Sequence, residues 1–150
     1  MRTLSLSQTP ERPANAKPGD EIPLVGHRVS AGFPSPATDY LEDTLDLNDY
    51  LVRNKPATFL FRVKGESMLG ASINDGDKVV VDRSLTAMHK DIVVAVVDGE
   101  FTLKRLHLVA GRHVELRAEH PSYPSITFKE GSELTIWGVV IGLVRRYRRS

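Results

Sequence analysis

The dipeptide Asp98-Gly99, which separates two apolar runs, constrains this chain more than any other feature. Residues 92–97 read Ile-Val-Val-Ala-Val-Val, and residues 101–106 read Phe-Thr-Leu-Lys-Arg-Leu. An Asp-Gly pair in this setting is a strong signal for a two-residue β-hairpin turn, because both of its central residues need positive φ. The first run lacks polar alternation, so we expect both faces of that strand to be covered. The hairpin would therefore hold Lys104 inside a sheet.

Short strand-like segments fill most of the chain after Pro56, and turn-forming Asn, Asp and Gly residues separate them. Such a pattern predicts a mainly β, mainly antiparallel domain. The predicted strands are residues 58–64, 78–82, 91–97, 100–106, 113–118, 125–129 and 134–145.

The part of the chain before Pro56 is predicted to contain one helix. Asp46 is expected to cap a short helix over residues 47–53, with Leu47, Tyr50 and Leu51 facing inward. Residues 1–20 are polar and carry almost nothing to bury, which predicts a disordered arm. Prolines in residues 30–37 favour an extended conformation there.

Charge and composition exclude several classes of protein. The net charge is +1, but residues 32–144 hold 12 basic and 16 acidic residues, which disfavours direct nucleic-acid binding by this body. The C-terminal Arg145-Arg146-Tyr147-Arg148-Arg149 could touch phosphate or an acidic partner, but is most simply a solvated chain end. The chain has no cysteine, no apolar stretch long enough to span a membrane and no signal-peptide pattern. We therefore expect a cytoplasmic protein without membrane attachment.

No cofactor or metal is expected. The five histidines lack metal-ligand spacing, and the absence of cysteine argues against structural zinc.

Ser67 and Lys104 are the residues with the clearest potential for chemistry. Ser67 follows a strand-like run and sits where the backbone is expected to turn, in Gly65-Glu66-Ser67-Met68. Lys104 lies 37 residues later, on the strand face that it shares with Thr102 and Leu106. A serine hydroxyl needs a base, and desolvation lowers the pKa of a lysine by up to ~3–5 units. Together the two residues fit a Ser–Lys catalytic dyad; taken alone, they fit a surface serine and a lysine at a strand edge better.

The order of several short motifs resembles the self-cleaving LexA/UmuD family, and more closely its UmuD/MucA branch, from about residue 22 to about residue 147. The motifs are Val29-Ser30-Ala31-Gly32, Val63-Lys64-Gly65-Glu66-Ser67-Met68, Asp75-Gly76-Asp77, Asp98-Gly99-Glu100-Phe101-Thr102-Leu103-Lys104-Arg105 and Trp137-Gly138-Val139-Val140. Ala31 stands where the best-known UmuD pattern has cysteine, but alanine is usual in LexA-type repressors.

The resemblance implies a single curved β domain with a flexible N-terminal arm. Ser67 would be the nucleophile and Lys104 the general base that together cut the Ala31–Gly32 bond. The backbone N–H groups of Ser67 and Met68 would stabilise the oxyanion. Cleavage would separate an arm, residues 1–31, from a partner-binding domain, residues 32–150.

The resemblance also implies partners and a cellular role. The protein would be a homodimer, cut when a RecA nucleoprotein filament forms, and would then join a UmuC-type error-prone DNA polymerase in SOS mutagenesis. Two alternatives stay open: a fragment of a LexA-type repressor, and a non-catalytic β scaffold that only binds polymerase partners. The repressor requires a DNA-binding domain, and the 31 residues before the proposed cut lack helical periodicity.

Overall fold

Strands dominate the structure, a computed structural model that describes residues 21–26, 28–34, 36, 41–109, 113–128 and 133–148. The predicted mainly β, antiparallel fold class is confirmed. The chain divides into two compact units, Met1–Leu51 and Val52–Ser150. No helix among the described residues is long and apolar enough to cross a membrane. The arm predicted for residues 1–20 lies outside the described residues.

The first unit contains a small sheet that the sequence did not predict. Strand β1, Glu21–Val25, pairs antiparallel with β2, Leu41–Asp46, although Pro23 and the charged residues of β2 weaken the strand signal. Helix α1, Leu47–Leu51, follows directly.

The predicted cap of α1 is confirmed, because the Asp46 carboxylate accepts the backbone N–H of Asn48 at 2.8 Å. The helix ends two residues earlier than predicted. The prediction that its apolar residues face inward was wrong for Leu47 and Tyr50, which are 48% and 70% exposed, whereas Leu51 is half-buried. A five-residue helix makes little more than one turn, which is too short to bury a full apolar face.

The described residues of the second unit form seven strands: β3 Thr58–Arg62, β4 Lys78–Asp82, β5 Ile92–Val97, β6 Glu100–Val109, β7 His113–Arg117, β8 Ile126–Thr127 and β9 Leu134–Val144. These strands make one antiparallel sheet in the order β3-β4-β9-β5-β6-β7-β8. The observed strands match the predicted ones to within a few residues, with β6 extending three residues beyond its predicted end.

The predicted hairpin joins β5 to β6. Asp98 and Gly99 both have positive φ, 49° and 82°, as a type I′ turn requires, and Val97 pairs with Glu100. The register places Lys104 opposite Val93, a fully buried residue of β5. The turn therefore fixes the position of the Lys104 backbone in the middle of the sheet.

Strand β5 is covered on both faces, as its apolar run predicted. Val94 belongs to one buried cluster, and its neighbours Val93 and Ala95 belong to another. The first cluster also contains Met68, Ile73, Val79 and Val81, and the second also contains Leu106, Leu116 and Val139. The first cluster matters for the site because it buries Met68, the residue after Ser67.

Two bulges in β9 bend the sheet. The register of β9 slips once against β5 and once against β4, which leaves Trp137 and Ile141 without a directly paired partner in those ladders. Between them, Gly138 lies so close to β4 that an added Cβ would stand 2.6 Å from Cγ1 of Val81. Bulges of this kind bend a strand locally and increase its twist.

Candidate active site

Ser67 lies on a turn that begins where β3 ends. The chain leaves the ladder through Val63, which exchanges backbone hydrogen bonds of 2.8 Å with Asp77 and Gly76. Gly65 then adopts φ +94°, a left-handed conformation that side chains disfavour, and its N–H donates to the Asp75 carboxylate at 2.7 Å. The glycine of the sequence motif therefore reverses the chain just before the serine.

Backbone hydrogen bonds hold the turn on its far side. Met68 is 2% exposed and packs into the first core cluster, while Ser67 stays half-buried. The N–H of Glu119 donates to the carbonyl of Ser67 at 2.8 Å, and the N–H of Gly70 donates to the carbonyl of Glu119 at 2.7 Å. A Cβ on Gly70 would stand 2.7 Å from that same carbonyl oxygen, so only glycine fits this approach without movement.

The side chain of Lys104 reaches the serine from β6. Its Nζ lies 3.2 Å from Oγ of Ser67, 3.2 Å from Oγ1 of Thr102 and 3.1 Å from the carbonyl oxygen of Leu103. The predicted proximity of Lys104 and Thr102 on one strand face is thus seen in a direct contact. Three oxygen atoms within hydrogen-bond distance fix the amine beside the hydroxyl.

Partial burial lowers the pKa of Lys104 below its ordinary value of 10.5, because desolvation disfavours the charged ammonium. Among the described residues, no carboxylate lies within ion-pair distance of Nζ to oppose that shift. A neutral amine can accept a proton from the Ser67 hydroxyl, which a protonated one cannot. The geometry and the electrostatics therefore suit a general base.

Ser67 and Lys104 line one cleft of about 230 Å³. One wall carries apolar side chains, including Phe61 and Phe101, whose ring centroids are 5.3 Å apart. The cleft runs beside Arg62, Val63 and Lys64, at the end of β3, which is an edge strand of the sheet. An edge strand beside a reactive group is a suitable place for an extended peptide to pair.

The backbone N–H groups of Ser67 and Met68 are the oxyanion donors that the family resemblance predicts. Among the described residues, neither N–H donates a hydrogen bond to another protein atom. An unpaired N–H beside a nucleophile can instead donate to the oxygen of a tetrahedral intermediate.

The predicted cleavage site lies in the first unit. Ala31 and Gly32 are exposed, as are the flanking Val29 and Phe33, at 92% and 89%. The backbone bends at residues 31–33, which differs from the extended conformation expected for this proline-containing segment. A bent, exposed segment has no backbone ladder to break before it can straighten in a groove.

Glu119 binds the backbone of Ser67 and of Gly70, but the sequence did not single out Glu119 or Gly70 for such a role. Their contacts join positions about fifty residues apart, and neither residue stands in a motif of known chemistry. No cluster of three His, Asp or Glu side chains that suits a metal ion occurs in the part of the chain that the structure describes.

Comparison with known proteins places this chain in a family. Residues 23–141 match the family model described as Peptidase S24-like. The chain is 43% identical to protein ImpA of Escherichia coli over 145 residues, which cover 95% of this chain and 98% of ImpA. It is 48% identical to protein MucA of Escherichia coli over 121 residues, which cover 79% of this chain and 81% of MucA.

A repressor is also among the similar proteins. LexA repressor 2 of Geobacter sulfurreducens is 41% identical over 130 residues, which cover 86% of this chain and 62% of the repressor. The resemblance drawn from the motifs is thereby confirmed, and a serine peptidase kind of activity is supported. The chain belongs to the Peptidase S24-like family, as a UmuD/MucA-type SOS mutagenesis protein of the LexA/UmuD group.

Proposed function

We propose that this protein cuts its own chain between Ala31 and Gly32, with Ser67 as the nucleophile and Lys104 as the general base. The observation that carries the proposal is the 3.2 Å contact between Nζ of Lys104 and Oγ of Ser67 inside a partly desolvated cleft. A serine and a base within hydrogen-bond reach are the diagnostic pair of nucleophilic catalysis.

The reaction begins when neutral Lys104 takes the hydroxyl proton of Ser67. Oγ then bonds to the carbonyl carbon of Ala31, and the resulting oxyanion accepts hydrogen bonds from the N–H groups of Ser67 and Met68. Removing one such donor costs about 2.7–4 kcal/mol in other serine peptidases.

The C–N bond breaks next, and the amine of Gly32 leaves with the proton that Lys104 had taken. Water, deprotonated by Lys104, then hydrolyses the ester between Ser67 and Ala31. The products are residues 1–31 and residues 32–150.

The reaction must be held back in the intact protein until a trigger starts it. A peptidase joined to its own substrate has a very high effective concentration of that substrate, so an unrestrained chain would cut itself at once. We propose that a RecA nucleoprotein filament binds the state in which the segment at residues 28–34 is docked in the cleft. A ligand shifts such an equilibrium only through its different affinities for the two states.

The role proposed for the product follows from the SOS mutagenesis type. The shortened protein acts in the cytoplasm as a homodimer and joins a UmuC-type error-prone polymerase as an accessory subunit. The proposed cleavage segment lies in the first compact unit, and the proposed dyad lies in the second.

The experiment that tests the proposed function is mass spectrometry of the purified protein after incubation with RecA, ATP and single-stranded DNA. The wild type yields a fragment that begins at Gly32, and Ser67→Ala and Lys104→Ala yield none. Two exposed residues, Ser122 and Lys78, supply matched controls, because alanine there leaves the cleft untouched. A Gly32 fragment from Ser67→Ala at the wild-type rate would refute the assignment of the nucleophile.

A further inference from the structure

One residue, Glu119, makes backbone hydrogen bonds to two residues of the turn that carries Ser67. Glu119 donates its N–H to the carbonyl of Ser67 at 2.8 Å and accepts the N–H of Gly70 through its own carbonyl at 2.7 Å. These two bonds straddle Met68 and Leu69. The position of Ser67 therefore depends on where the backbone of Glu119 stands.

The β6–β7 ladder does not fix Glu119. Strand β7 ends at Arg117, whose partner in the ladder is Arg105 of β6, and Glu119 lies two residues beyond that last pair. A residue outside a ladder has no regular backbone bond to its neighbouring strand. Something else must hold the backbone of Glu119 close to β6.

A side-chain ion pair supplies that link. The Glu119 carboxylate accepts a hydrogen bond from Nε of Arg105, and the two side chains are only 32% and 26% exposed. A second nitrogen of Arg105 donates to the carbonyl of Lys90 at 2.6 Å, so the guanidinium is itself held on two sides. Arg105 follows Lys104 directly in β6, so the pair joins the serine turn to the strand of the lysine.

We propose that the Arg105–Glu119 ion pair is a positioning element that holds Ser67 within reach of Lys104, an inference that rests on the proposed self-cleavage. Lys104 stands on a central strand, fixed by its pairing with Val93. Ser67 stands on a turn outside the sheet. The ion pair connects the two residues: the backbone of Glu119 binds Ser67, and its carboxylate binds Arg105, the residue next to Lys104.

The length of the catalytic contact makes this link important. At 3.2 Å, the Lys104–Ser67 contact already lies at the outer end of useful hydrogen bonds. Misplacement of a reacting group by about 1 Å costs on the order of 100-fold in rate. Neither Arg105 nor Glu119 touches the hydroxyl or the amine, so both act through other residues rather than in the reaction itself.

The test compares two ion pairs of the same sheet. Glu119→Ala removes the proposed link, and Glu119→Gln keeps an oxygen that can accept the Arg105 hydrogen bond. Glu115→Ala is the matched control: Glu115 pairs with Nε of Arg117 at 2.8 Å, but makes no contact with the serine turn. Each full-length variant is assayed for its first-order self-cleavage rate at alkaline pH without RecA, for labelling of Ser67 by a fluorophosphonate, and for thermal unfolding.

We expect Glu119→Ala to lose about 10- to 100-fold in both the cleavage and the labelling rates, Glu119→Gln to recover most of that loss, and Glu115→Ala to match the wild type. Equal rates for Glu119→Ala and Glu115→Ala would overturn the inference. The inference would also fail if the rate lost in Glu119→Ala equalled the fraction of that variant that is unfolded and if Glu119→Gln did not recover it. Failure of the proposed function gives a different result: either the wild type would not cleave at all or Ser67→Ala would still cleave, and in both cases the wild-type serine would not react with the probe.

Discussion

Replacement of Gly70 by alanine should disable the serine turn without touching the dyad. The added methyl would stand 2.7 Å from the carbonyl oxygen of Glu119, whereas ordinary contacts begin at 3.4 Å. The turn or Glu119 must therefore move by several tenths of an ångström, and the obstacle is backbone rather than a flexible side chain. Overpacking of this kind costs about 1–3 kcal/mol of stability, and a displacement approaching 1 Å should slow self-cleavage by roughly 10- to 100-fold.

The assay measures the first-order rate of self-cleavage at alkaline pH together with thermal unfolding. Gly138→Ala is the control for overpacking alone: its methyl would meet Cγ1 of Val81 at 2.6 Å, a side chain that packs in the first cluster but, unlike the carbonyl of Glu119, makes no hydrogen bond to the serine turn. It should lose comparable stability, about 2–4 °C for each kcal/mol, and cleave at the wild-type rate below its melting range. If Gly70→Ala cleaved as fast as Gly138→Ala, the close approach of Gly70 to Glu119 would not be needed for catalysis.

Two further predictions concern stability as a function of pH. Lys104→Met should have a larger free energy of unfolding than the wild type at pH 7, because burial lowers the pKa of Lys104 and a charged amine in the cleft is costly. Denaturant unfolding should show that this difference shrinks as pH rises from the lowered pKa to 10.5, where the amine is neutral in the unfolded chain as well. An excess that does not vary with pH would contradict the burial argument. The prediction of a solvated chain end was wrong for Arg145, whose guanidinium donates to the buried Asp77 carboxylate at 2.7 Å. Those hydrogen bonds hold the pKa of Asp77 below its ordinary value of 3.8, so Asp77→Asn should be less stable than the wild type at neutral pH. That difference should narrow in acid titration as pH falls below 3.8 and the carboxylate takes up a proton, and a constant gap would count against it.

Sequence patterns predicted the second unit well because its strands are specified locally. Alternation and turn residues placed the strands, and the Asp98-Gly99 turn set the register that puts Lys104 opposite Val93. The unbroken apolar run of β5 correctly indicated burial on both faces. Ser67 and Lys104 could be singled out because their residue types carry chemistry at a strand end and inside a strand.

Other features depend on contacts that no local pattern encodes. The link from Glu119 to the Ser67 turn joins residues far apart in sequence, and it uses backbone atoms that every residue possesses. The β1–β2 pairing was missed because Pro23 and acidic residues mask its strand character. The exposure of Leu47 and Tyr50 was missed because helical periodicity predicts an apolar face but not whether anything covers it.

If Lys104 must lose its proton before Ser67 can attack, the rate of self-cleavage must depend on pH. The measurement is the first-order cleavage rate of the purified wild type without RecA, from about pH 7 to about pH 10, with Lys104→Ala in parallel. We expect the wild-type rate to rise by up to about tenfold per pH unit and to reach a plateau below pH 10.5, because burial lowers the pKa of Lys104. Lys104→Ala should stay inactive throughout. A flat wild-type profile, or the same rising profile in Lys104→Ala, would contradict it.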